Sequence, residues 1–190
     1  MIRALVVSVA LVLLAAGGGA AAASFALDDD AKRAALKAGE RSTLVEGFDR
    51  EWRVNGDGGE SLTVLTPFHR LLLAARNATF KSAPLKPVEI ERVLKQDVQR
   101  LVVWVNLRGR SEDFARHYVP RLVDGTRDIK ATFVQNERTA PRQDDGAYVA
   151  RCVYGFPIRD LNGHSRVELA VADSDGRDVS RFTIDLSRMR

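Results

Sequence analysis

The chain has a single cysteine, Cys152, so no disulfide can form within it. A fold of this length must be held by its own apolar core, and 190 residues are enough for that. Histidine is also sparse. His69, His117 and His164 stand far apart, and no Cys/His spacing of a zinc site occurs. No phosphate-cradling glycine loop, dinucleotide fingerprint or nucleophile-elbow Gly-x-Ser-x-Gly is present. The residues therefore suggest no cofactor. Beyond the first two dozen residues, no apolar run approaches the ~20 residues of a membrane-spanning helix.

What is present begins at the N-terminus. Arg3 gives a basic tip, residues 4–16 are apolar apart from Ser8, and small residues run from Gly17 to Ala23. This three-part pattern predicts an export signal over residues 1–23, cut after Ala22 or Ala23, with a mature domain over 24–190. No cysteine near the cut is available to carry a lipid. The expected location is periplasmic or secreted, and the expected mature chain is soluble. The formal charge is +4, of which Arg3 supplies one. Arginine outnumbers lysine and acids are interspersed, a composition typical of GC-rich bacterial coding. No nucleic-acid partner is expected from it.

The periodicities predict an α+β fold, mostly antiparallel β. Helices are expected over 27–38, with Gly39 as stop, over 67–78 after Thr66 and Pro67, and over 88–99. Residues 42–54 read as extended, and the turn 55–59 joins them to a strand over 60–65. Strands are then expected at 101–107, 129–137, 147–156, 167–172 and 179–186. A sub-boundary near residue 99 would leave 100–190 as a sandwich-like unit. In strand rhythm, the closing hairpin resembles the end of bacterial immunoglobulin-like modules. That resemblance implies a sandwich and nothing about function.

Several residues have the chemistry of a site. Asp113 and His117 are four apart, so on a helix a carboxylate would orient an imidazole, half of a catalytic relay. No nucleophile accompanies them. Adjacent Asp144 and Asp145 read as turn residues. Asp173, Asp175 and Asp178 alternate around a glycine, as calcium loops do, but strands flank them and no bidentate glutamate follows, so a hairpin turn is the plainer reading. His69 and Arg70 open a helix, where backbone donors favour a phosphate or carboxylate. Trp52, between Glu51 and Arg53, reads as a partly exposed binding aromatic, whereas Trp104, between valines, reads as core. Cys152 reads as a small core residue.

The function expected from these features is an exported, non-enzymatic envelope or secreted protein that binds a protein or envelope polymer. The alternatives are an exported hydrolase with a site assembled from distant residues, and an arginine-mediated binder of anionic lipid or cell-wall polymer. Neither oligomeric state nor partner identity is written in the sequence.

Overall fold

The computed structural model describes residues 22–190. The signal expected over 1–23 therefore lies outside the described residues, apart from Ala22 and Ala23.

Helix α1 (Asp29–Arg41) starts where Asp28 caps it, its carboxylate accepting from the Ala31 amide at 2.7 Å. Gly39 does not stop this helix. It lies inside the last turn, where a Cβ would collide with the Leu72 carbonyl and the Ala75 side chain of the neighbouring helix. That helix, α2 (Pro67–Phe80), is capped by Thr66, whose hydroxyl accepts from the His69 amide at 3.1 Å, and has proline in its first turn. Helix α3 (Pro87–Lys95) begins with the Glu89 carboxylate accepting from the Lys86 amide at 2.8 Å. It ends before the expected residue 99, because Gln96 turns extended (ψ 130°) and Asp97 after it takes a left-handed conformation (φ 55°).

Among the described residues, nine strands make two antiparallel sheets. The first has the order β1 (Arg53–Asn55), β2 (Ser61–Leu65), β3 (Arg100–Gly109), β7 (Tyr148–Pro157), β6 (Phe133–Gln135). The second has the order β5 (Arg127–Lys130), β4 (Val119–Asp124), β8 (Arg166–Ala172), β9 (Asp178–Asp185). The sandwich thus takes in the early β1–β2 hairpin, and β3 pairs directly with β2. A single core cluster runs from Ala23 to Met189 and joins both sheets to α1 and α2.

Two expectations for the strands are corrected, and one strand is added. Most of 42–54 is not extended: short 3-10 turns at Ser42–Leu44 and Arg50–Trp52 precede a strand of three residues. The run 129–137 is divided between sheets, β5 in one and β6 in the other. Strand β4 has no counterpart in the sequence reading.

In the first sheet, Leu62, Val64, Val103, Val105, Cys152 and Tyr154 alternate inward and are fully buried. Burying a side chain of this size contributes about 2 kcal/mol. The opposite parity, Thr63, Trp104 and Val153 in one row and Ser61, Asn106 and Arg151 in the next, faces outward. That outward face positions the site.

Candidate functional site

A strand presents successive side chains to opposite faces. Because Val103 and Val105 are inside, Trp104 is outside, 48% exposed near the middle of the five-stranded sheet. The sequence reading of Trp104 as core is corrected on this ground: valines on either side of a residue mark the other face. The row through it runs Arg53, Thr63, Trp104, Val153, Gln135 across all five strands.

Beside this row lies a cleft of about 430 Å³. The sheet contributes Thr63, Trp104, Asn106, Arg151 and Val153; α2 contributes His69 and Leu73; Asp49 and Arg53 also line it. Asp49 and Arg53 pair at 2.7 Å. Asn106 donates to the Ser61 hydroxyl at 3.1 Å. The Arg151 guanidinium has no ion pair among the described residues, although its amide donates to Glu137 at 2.6 Å.

His69 is 1% exposed. Its Nδ1 lies 2.9 Å from the Val64 carbonyl oxygen. A carbonyl can only accept, so Nδ1 carries the proton and Nε2 presents a lone pair. Nε2 is buried and has no partner among the described residues, which costs about 1–3 kcal/mol. Burial pushes the imidazole pKa below its ordinary value, against the Val64 hydrogen bond and the charges of Asp49 and Glu51. The ring is therefore neutral near pH 7.

Trp52 is corrected from partly exposed to fully buried. The 3-10 turn at Arg50–Trp52 swings the indole inward, where it stacks on His69 (4.3 Å between centroids, 6° between planes) and on Phe68. Its charged neighbours stay outside: Glu51 pairs with Arg190 and Arg53 with Asp49. The Trp52 Nε1 donates to the Arg190 main-chain oxygen at 2.8 Å, and the Thr66 hydroxyl donates to the same oxygen. At the start of α2, the His69 amide is satisfied by the Thr66 hydroxyl. Arg70 turns away from that end. It donates to the Gln96 carbonyl and lies 3.7 Å from Asp97, with burial lowering its pKa against the pull of Asp97.

Asp113 and His117 are exposed on a run of turns, not on a helix. Asp113 accepts from the Ser111 hydroxyl at 2.9 Å, and no hydrogen bond joins it to His117 among the described residues. Asp173 accepts from the Asp175 and Arg177 amides, both at 2.9 Å, and Arg177 bridges it to Asp175. Asp178 is held by both Arg121 nitrogens at 2.7 and 2.8 Å. These bonds, the Arg177 amide first for Asp173 and the Arg121 guanidinium first for Asp178, hold both carboxyls below the usual range. Among the described residues, no group of three or more His, Cys, Asp or Glu is arranged to hold a metal. Asp145 pairs with Arg108. Cys152 is buried, and burial pushes its thiol pKa up.

The sequence reading missed Thr63, Asn106 and Arg151. Only strand register brings them together, and register is not visible in any one segment.

No family model and no curated protein matches this chain. Among solved structures it is similar to a protein of unknown function from Burkholderia pseudomallei, with 9% sequence identity and a TM-score of 0.44 over 85% of this chain and 91% of that one.

Proposed function

We propose that this is an exported, non-enzymatic protein of a bacterial envelope or its surroundings that binds another macromolecule through the outer face of its five-stranded sheet. The observation that carries the reading is Trp104, half exposed beside a cleft with hydrogen-bonding walls. Tryptophan and arginine dominate the anchors of macromolecular interfaces, and Arg53 and Arg151 flank this one. On edge strand β6 of the same sheet, Phe133 is 40% exposed. Arg100 lies over that ring at 5.9 Å. Export rests on the basic, apolar and small-residue pattern of residues 1–23.

The test is affinity capture of the tagged full-length chain from its native host after crosslinking in cells, with washes at low and high salt. Capture of a specific macromolecule by the wild type and its loss with Trp104→Ala support the reading. Equal capture by both proteins contradicts it. Capture lost in high salt regardless of Trp104 points to arginine-mediated polyanion binding.

A further inference from the structure

Resting on that reading, we infer that the cleft between α2 and the outer sheet face binds a saccharide unit bearing a carboxylate. Three walls of different chemistry converge there. The Trp104 indole offers a flat apolar platform, which suits the C–H face of a pyranose ring as it suits other flat apolar groups. His69 lines the cleft and brings a buried lone pair at Nε2 that needs a donor. A sugar hydroxyl or acetamido N–H is such a donor; a fully ionised phosphate or a bare carboxylate is not. Arg151 brings a cation without an ion partner among the described residues, matched to a carboxylate. Arg53 adds little net charge, because Asp49 holds it. Thr63 and Asn106 add hydroxyl and amide groups suited to further hydroxyls. The volume falls in the range of small-ligand sites, roughly 300–1,000 Å³.

A bare phosphate would use Arg151 but leave Trp104 and Nε2 without matching groups. A neutral sugar would use those two and leave Arg151 unmatched. A ring that carries both hydroxyls and a carboxylate uses all three.

Calorimetric titration tests this with three probes: the N-acetylglucosamine–N-acetylmuramic acid disaccharide, trigalacturonate and neutral di-N-acetylchitobiose. An acidic saccharide should bind at least about tenfold more tightly than the neutral one. The better of the two acidic probes distinguishes a wall-type glycan from a polyuronate. Trp104→Ala and Arg151→Met should each weaken that binding by about tenfold or more. Both residues lie on the outer face of the sheet, so unchanged circular dichroism should accompany the loss. Arg151→Met should also erase the preference for the acidic sugar, an effect that a merely structural role would not produce. Equal binding of acidic and neutral sugars, no saturation by any of them, or preference for an acidic peptide overturns the inference. If no sugar binds while Trp104→Ala still abolishes capture in cells, the ligand class fails and the binding face stands. If Trp104→Ala leaves capture unchanged, the face itself fails.

Discussion

Acid should unfold this protein in part through one buried ring, His69. In the unfolded chain, this imidazole takes up a proton near its ordinary value of 6.5. In the fold it is 1% exposed, donates from Nδ1 to Val64 and stacks on Trp52, and burial holds its pKa lower. The unfolded state therefore binds the proton first. The stability from keeping His69 neutral is complete above pH 6.5 and is lost as pH falls from 6.5 through the folded-state pKa. Within that window the slope is about 1.4 kcal/mol per pH unit. With an m-value of about 2 kcal/mol/M, the urea midpoint should fall by about 0.7 M per unit. The control is His69→Asn, whose amide can still donate to Val64 but does not titrate. Subtracting its urea curves from those of the wild type removes the exposed His117 and His164 from the comparison. It also removes Asp173, Asp178 and Asp185, whose depressed pKa values contribute stability that is lost only near pH 4 and below. A difference between wild type and variant that stays flat from pH 7.5 to 5 would refute the reasoning.

Other consequences are open to direct measurement. Gly39→Ala should lower stability by about 1–3 kcal/mol, read from urea unfolding, because its methyl meets the Leu72 carbonyl and the Ala75 side chain where α1 crosses α2. Cys152 should resist a thiol reagent in the native protein and react at the rate of unfolding, since it is buried and its thiol pKa is raised; fast native labelling would count against the burial. Ala23 is buried, and its amide donates to the Leu186 carbonyl at 3.0 Å. If the chain is processed on export, intact mass should place the cut after Ala22, so that this contact is kept. A mature chain starting at Ser24 would contradict that choice of site, and an unprocessed chain would contradict the export reading.

The start of α2 was legible, because capping is local chemistry: Thr66 stands three residues from the amide it satisfies, and Pro67 fits the first turn. The closing strands were legible too, through alternation and the glycine-containing turn between β8 and β9. What could not be read depends on contacts distant in sequence. Gly39 reads as a helix stop until α2 is placed against it. Strand β4 contains Pro120 and Arg121 and lacks a clean alternation, and its identity comes from pairing with β5 and β8. The two tryptophans were assigned to opposite environments for the same reason. Neighbouring charge suggested exposure for Trp52, but a 3-10 turn carries the ring inward. Neighbouring valine suggested burial for Trp104, but strand parity turns it outward. His69 was visible as a candidate, whereas its unpartnered nitrogen was not, since that depends on Val64 occupying the other one.

The most direct test of the binding face is a photocrosslinking amino acid at Val153, next to Trp104 in the same outward row, introduced into the full chain in its native host. A matched control carries the same probe at the exposed Arg159. The account predicts a discrete adduct from position 153 that disappears when Trp104→Ala is added, and none from position 159. Adducts of equal yield from both positions, or an adduct at 153 that survives Trp104→Ala, would contradict it.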